Sequence, residues 1–334
     1  NSGSSISADR QGYTTNGPGS PLIPNFNAGG SYGGVGQFNT ASSPYGSAAM
    51  PMDLGSGGFD GNRAGGAIRI VVTDTITNNG IVSADGNLNS TGGSIYVTTK
   101  HLAGSGTFEA NGGGIHYGYR PGSGGRIAIH YQTSSFSGQA EALGGCGSSD
   151  GGSTIICSGD GTVGLFDELL NNLYLTGTWK FMASDAPFSF NNIYLSSNAV
   201  VTSEDSMSLT ANSLSIDGSS SFVFSNNQTI NIPSITVAGG STLTLSGSQT
   251  LVTNSLTLSG SSTVDVVTGQ ILALTIPNIT VNSGSTIFAN GKGYAAGAGP
   301  GSPMTTYDAG NTYPYYAGAS YGGLGFSFGN SAPA

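Results

Sequence analysis

Few residues of this chain are equipped for acid–base or covalent chemistry. Only 17 of 334 residues are Asp or Glu, 8 are Lys or Arg and 3 are His. The best carboxylate grouping is Asp9, Asp85 and Glu109, which coil-on-coil stacking would bring together near Arg10, Arg63 and Arg69. Clustered carboxylates beside a basic partner are what general acid–base catalysis needs. The plainer reading, a solvated corner with local ion pairs, is preferred. Glu204 and Asp205 are adjacent, so on a strand they face opposite ways. Asp167 and Glu168 fall in the one short helix candidate, residues 166–172. His101, His116 and His130 lack metal-ligand spacing, and with two cysteines no zinc site is expected. Gly29-Gly30-Ser31-Tyr32-Gly33 and Gly318-Ala319-Ser320-Tyr321-Gly322 match a nucleophile elbow in letters alone. Both lack the strand before and the helix after that would expose the serine. The expectation is a protein that is not an enzyme, with no catalytic residue, metal or cofactor.

Three other groups carry weaker chemistry. Cys146 and Cys157 flank a Gly/Ser loop, and an even count in a secreted chain implies a disulfide. Asn89, Asn227 and Asn278 head acceptor sequons for N-glycosylation, with Asn89 expected to be the most accessible. Tyr13, Tyr32, Tyr45, Tyr294, Tyr315, Tyr316 and Tyr321 sit in Gly/Pro-rich stretches, where they either contact a ligand such as a glycan or pack their loop onto the body.

What must position these groups is an unusual chain. It holds 57 Gly, and 7% of its residues are charged, with a net charge of −9. An acidic chain with scattered positive residues does not release phosphate counterions, which argues against nucleic acid as a partner. No apolar run reaches the length of a membrane span. Its polar mass is Ser, Thr, Asn and Gly, which suits an extracellular or cell-surface setting.

The two ends repeat each other. Residues 1–13 read NSGSSISADRQGY and residues 282–294 read NSGSTIFANGKGY, identical at eight of thirteen positions. Gly17-Pro18-Gly19-Ser20-Pro21 returns as Gly299-Pro300-Gly301-Ser302-Pro303, and Ser31-Tyr32-Gly33-Gly34 as Ser320-Tyr321-Gly322-Gly323. Residues 1–281 therefore read as one complete repeat unit and 282–334 as the start of the next. Within the unit lie a large loop insert (12–63), irregular coils (64–172) and regular coils (173–281).

A finer period runs inside the unit. Apolar–x–apolar triplets start at Leu173, Ile193, Leu214, Ile235, Leu256 and Ile279, at spacings of 20, 21, 21, 21 and 23. Each precedes a turn and a second alternating stretch, as Phe222-Val223-Phe224 follows Asp217-Gly218-Ser219. Period-two alternation broken by Gly, Ser and Asn is a strand signal, and a repeat of this length is a solenoid signal. In the first half Gly-Gly pairs precede strands at Ile68, Ile95 and Ile127. Ala8, Ala84, Ala110 and Ala289 close strands and are expected to stack at one inner corner. The expected fold is all-β: a right-handed parallel β-helix (β-solenoid) of about 20–23-residue coils with long Gly/Tyr/Pro-rich insertions. About nine coils per unit advance on the order of 40 Å.

The GG-x-I-x-I and Ala-Asp/Asn-Gly coils resemble the glycine-rich parallel β-helix repeats of filamentous adhesins and of repetitive surface and fibre proteins of microbes. The resemblance covers most of the chain and implies a secreted, elongated structural or adhesive role. The expected function is a structural subunit of an extracellular fibre or cell-surface filament whose main partner is itself, end to end. A carbohydrate-binding surface adhesin is the alternative. A polysaccharide lyase or hydrolase ranks below both.

Overall fold

The computed structural model describes residues 3–21, 28–39, 42–58, 61–115, 120–148, 155–247 and 249–294. Most of the short alternating runs that precede a turn residue form strands, although Leu272-Ala273-Leu274-Thr275-Ile276 before Pro277 does not. The first half holds β1 (Ser5–Ser7), β2 (Ala67–Val71), β3 (Thr75–Thr77), β4 (Ile81–Ser83), β5 (Ser94–Thr98), β6 (His101–Gly104) and β7 (Thr107–Glu109). It continues through β8 (Arg126–Tyr131), β9 (Thr133–Phe136), β10 (Gln139–Glu141), β11 (Cys146–Ser148), β12 (Ile155–Cys157) and β13 (Thr162–Asp167). The second half holds β14 (Asn172–Leu175), β15 (Thr178–Phe181), β16 (Phe188–Leu195), β17 (Val200–Ser203), β18 (Ser208–Ile216), β19 (Ser221–Phe224) and β20 (Thr229–Asn231). It ends with β21 (Ser234–Val237), β22 (Thr242–Leu245), β23 (Thr250–Val252), β24 (Ser255–Leu258), β25 (Thr263–Val266), β26 (Asn278–Val281) and β27 (Thr286–Ile287). Among the described residues the only helical element is one 3₁₀ turn at Ala183–Asp185.

The fold is all-β, with a large, nearly closed and mostly parallel main sheet. In the first half three parallel ladders run side by side: β1-β4-β7-β10, β3-β6-β9, and β2-β5-β8-β13. In the second half Leu173 pairs with Ile193, Ile193 with Leu214, Leu214 with Ile235, Ile235 with Leu256 and Leu256 with Ile279. The six triplets read from the sequence thus stand in register. A second ladder joins Phe222 to Leu243 and Leu243 to Val264.

The halves meet through an inversion. β14 runs antiparallel to β13, pairing Leu165 with Tyr174 and Phe166 with Leu173. Directly paired residues share a side of a sheet. Val163 and Leu165 face the first core, with Ile127, Ile129, Val97 and Phe108. Phe166, Leu173 and Leu175 face the second core, with Trp179, Ile193, Leu214, Phe222 and Leu243. One sheet therefore buries one face in the first half and the opposite face in the second. Gly164 lies where the second core begins: a Cβ there would come within 2.5 Å of the Trp179 ring.

The helix expected over residues 166–172 is absent. Asp167 ends β13, and its Oδ1 accepts the N–H groups of Leu169 (3.1 Å) and Leu170 (2.9 Å), turning the chain straight into β14. The side-chain carboxylate offers the backbone a turn in place of the first helical bonds. Leu169 and Leu170 point to solvent, 64% and 55% exposed.

The Gly-rich first half is held by close backbone packing. The glycine that enters each strand returns onto the Ala corner one layer earlier: Gly66, Gly93 and Gly125, each second in a Gly-Gly pair, donate to Ala8, Ala84 and Ala110 O, and Gly161, after Asp160, donates to Ala142 O. A Cβ on Gly65 would sit 1.9 Å from Ala84 O, on Gly92 2.0 Å from Ala110 O, and on Gly124 1.9 Å from Ala142 O. Ala84, Ala110 and Ala142 are buried as one column with Ala8 packed against it, whereas Ala289 lies exposed in the last layer of the second half. The described parts of the 12–63 insert join this packing. Gly12 donates to Ala64 O, Gly30 to Asn89 O and Gly33 to Gly124 O.

Candidate functional site

Stacking does bring the carboxylates into one column, as their spacing implies. Asp9 Oδ1 accepts the Asp85 N–H at 2.8 Å, and Asp85 Oδ1 accepts the Asn111 N–H at 2.6 Å. Asn111 Oδ1 in turn accepts the Leu143 N–H at 2.8 Å. Each side chain serves the backbone one layer on, a ladder of turn bonds. Glu109 and Glu141 stand in register beside it. Burial pushes the Asp85 carboxyl up to about 6; the Asn111 N–H opposes the rise, and Glu109, Asp9 and Glu141 add to it. Burial, Glu141 and Asp9 likewise raise Glu109. Among the described residues the ion pairs lie elsewhere, Lys180–Glu204 and Lys292–Asp265, as do the histidine–carboxylate contacts His101–Asp74 and His130–Glu168. Arg10, Arg63 and Arg69 are thus not brought into ion pairs with the column. Among the described residues no group of three His, Cys, Asp or Glu is placed to hold a metal ion.

A second polar cluster lies under the insert, on the face of β8 opposite the first core. Arg126 is fully buried. Its Nε donates to Tyr45 O (3.0 Å), and its terminal nitrogens reach Thr162 Oγ1 (3.3 Å) and Tyr32 O (3.5 Å). Burial lowers the Arg126 pKa, while the surrounding tyrosine and aspartate groups oppose that shift. Tyr32 is buried, its hydroxyl 2.5 Å from Ser94 Oγ, which donates to Asp53 O at 2.6 Å. Burial pushes Tyr32 up to about 12, with Arg126 pulling the other way. Tyr45 donates to Leu54 O and contacts the Tyr32 ring at 4.6 Å. His130 lies 2.5 Å from Glu168 Oε1 through Nδ1 and 2.9 Å from Ala49 O through Nε2, and it stacks on Phe166 at 4.2 Å. Asp185 accepts the Ala48 N–H at 2.9 Å. These groups spend their hydrogen bonds on fastening the insert, whose Ala48 enters the second core beside Ala128.

Tyr32 is thus buried in this packing, and Tyr45 is half-buried beside it. Tyr13 and Tyr294 are 40% and 70% exposed. Tyr315, Tyr316 and Tyr321 lie outside the described residues, as do His116 and the second serine-elbow match. In the first elbow match Ser31 is buried and its Oγ accepts the Gly36 N–H at 2.9 Å. Cys146 and Cys157 pair across the β11–β12 hairpin and are joined by a disulfide, Cα–Cα 4.1 Å.

The sequons divide in a way the sequence did not indicate. Asn89, Ser90 and Thr91 are all buried, because the surrounding glycines let backbones close over them. The expectation that Asn89 is the most accessible acceptor is corrected: Asn227 and Asn278 are the exposed ones. Asn278 donates to Asn254 O at 3.3 Å.

A buried serine ladder was also missed. Ser220 Oγ accepts from Ala199 N–H, Ser241 from Ser220, Ser262 from Ser241 and Ser285 from Ser262, at 3.0–3.2 Å. Its signal was present as serine recurring at the strand spacing.

The two duplicated segments carry the most distinctive geometry. Gly3 and Gly284 have φ of +80° and +82°, and Arg10 and Gly291 have +58° and +68°. Gln11 N–H donates to Ala8 O and Lys292 N–H to Ala289 O, both at 3.3 Å. Ser5 and Thr286 each open a strand. Sequence and conformation thus repeat together. Yet β1 pairs only with β4, and β27 only with β25, among the described residues.

No family model, curated protein or solved structure matches the chain. Among the described residues no helix is long and apolar enough to cross a membrane.

Proposed function

We propose that the chain is a structural subunit of an extracellular fibre or cell-surface filament built from tandem β-solenoid units. The observation that carries this reading is the ladder β2-β5-β8-β13-β15-β17-β19-β22-β25-β27. Ten strands follow one another in chain order, each hydrogen-bonded to the next. Such a stack grows along one axis as the chain lengthens. Each layer completes the core of its neighbour, which is the logic of repeat architectures. The register separations in the second half match a coil of 20–23 residues. At the β13–β14 junction both the strand direction and the buried face invert, so the sense of winding is kept. The strong right-handed preference of parallel crossovers then applies to both halves.

The polar groups fit the same reading. The carboxylates of the Asp9–Asp85 column bond backbone N–H groups, and the Arg126 and His130 cluster fastens the insert. The disulfide and the neutral polar surface fit secretion. Negative-stain images of the purified chain over a concentration series test the proposal. Rods whose length grows with concentration are expected; particles that stay single and compact at all concentrations would contradict it.

A further inference from the structure

We infer that the segment 284–294 of one unit occupies, in a second copy of the unit, the place that residues 3–13 hold here. This rests on the filament reading and specifies its junction. The two segments share sequence, two left-handed backbone positions, a turn hydrogen bond and a strand start, as described above. Their hydrogen-bonding surfaces are complementary. Residues 3–13 bond forward: Ser5, Ile6 and Ser7 pair with Ile81, Val82 and Ser83, Ala8 O accepts from Gly66, and Asp9 accepts from Asp85. Segment 282–294 bonds backward: Asn282 N–H donates to Leu258 O, Thr286 to Ser262 O and Phe288 to Val264 O, while Lys292 O accepts from Gly269. Merged into one layer, the two sets of bonds give a strand paired on both edges, which removes the unpaired edge each has alone.

The junction register follows. Thr286, Ile287 and Phe288 of one unit lie against Ile81, Val82 and Ser83 of the next. Ala289 O takes the Gly66 N–H, and Asn290 stands where Asp9 bonds the Asp85 N–H. The neighbouring strands agree. Among the described residues β26 pairs only with β24, and β3 only with β6, so their free edges meet in the same layer. Ile279 and Val281 pair with the core residues Leu256 and Leu258, yet are 42% and 46% exposed. Ile6, paired with the buried Val82, is 55% exposed. The junction covers the apolar floor left by Ile279 and Val281, joining the second core of one unit to the first core of the next. Addition of a strand to an open sheet edge is an established mode of association.

Cysteine cross-linking of the full chain tests the register. The double variant Ile81→Cys with Thr286→Cys places thiols at the junction pair that copies Ser5 and Ile81. Mild oxidation is expected to give a ladder of disulfide-linked oligomers. Ser83→Cys with Thr286→Cys, two residues out of register on the same side, is expected to cross-link at least tenfold less. Ser5→Cys with Ile81→Cys is expected to close within one chain, which reports folding and, by holding residues 3–13 in place, suppresses oligomers. Rods in micrographs together with no I81C/T286C ladder, or with equal cross-linking of the out-of-register pair, would overturn this junction and leave the filament reading standing. Absence of both rods and cross-links would overturn the filament reading itself.

Discussion

The two halves use glycine and side-chain volume in opposite ways. Before β13, glycine is needed because there is no room: at Gly65 a Cβ would lie 1.9 Å from Ala84 O and 2.4 Å from Gly93 N. After β14, glycine is needed for its backbone. Gly240 has φ +75° at a turn, and the closest atom to its missing Cβ is Ser219 Oγ at 3.6 Å. The first half packs backbone on backbone around a small core. The second packs Leu, Ile, Val and Phe columns between polar turns. Both solve one problem, burying the interior of the sheets without helices, and the difference shows that excess glycine in such a chain need not mean flexibility.

The largest expected effect breaks the comparison at its centre. Gly65→Ala drives a methyl into backbone on two sides, so its cost exceeds the ~1–3 kcal/mol of ordinary overpacking. Gly240→Ala meets nothing closer than Ser219 Oγ and costs only the ~1–2 kcal/mol of a left-handed non-Gly residue. Chemical denaturation of the two variants checks the contrast, and equal losses would dissolve it. Phe222 is fully buried and stacks on Phe224 and Phe181 at 4.0 and 5.8 Å. Phe222→Ala is expected to cost about 3–5 kcal/mol, read as a lower denaturation midpoint.

A smaller loss is expected in the serine ladder. Ser241→Ala removes one of the two acceptors of the buried Ser220 N–H, leaving Asp217 O at 3.3 Å, and is expected to cost about 0.5–1.5 kcal/mol. Ser241→Thr, which keeps an acceptor oxygen, should recover part of it in the same assay.

Asp85 gives the smallest effect and a sign. Its folded value, about 6, lies above the ordinary 3.8 because of burial. Such a carboxyl contributes most stability below pH 3.8 and loses it as pH rises to about 6. Stability is therefore expected to rise on acidification from pH 7 towards 4. Asp85→Asn, the residue already present one layer on at Asn111, should flatten that dependence. It should also add about 1 kcal/mol at pH 7, once solvent screening of this partly exposed site is counted. Melting curves across pH for both proteins read the difference.

Much of the second half was legible in the sequence because its signal is local. Alternating triplets at near-constant spacing leave a parallel stack little choice of register, and Leu214 finds Ile235 accordingly. The first half hid more. β13 carries apolar residues on both faces, Val163 and Leu165 on one and Phe166 on the other, so alternation did not reveal which side is buried. The spacing of Phe166, Leu169 and Leu170 imitated a helix, while Asp167 favoured a turn. Asn89 looked accessible because its neighbours are glycines, yet those glycines are what bury it. The carboxylate column was foreseen from spacing. Its role was not, since a side chain that bonds the next layer's backbone has the same letters as one poised for catalysis.

A filament of this kind requires the stack to continue from unit to unit. Counting the layer of β2 as the first places β27 in the tenth, so a unit advances about 48 Å at the usual ~4.8 Å per strand. Electron cryomicroscopy of the assembled object measures this directly. An axial repeat near 48 Å with ~4.8 Å layer spacing along the axis is the result predicted. A repeat far longer, from units strung on linkers without continuous ~4.8 Å spacing, would contradict it.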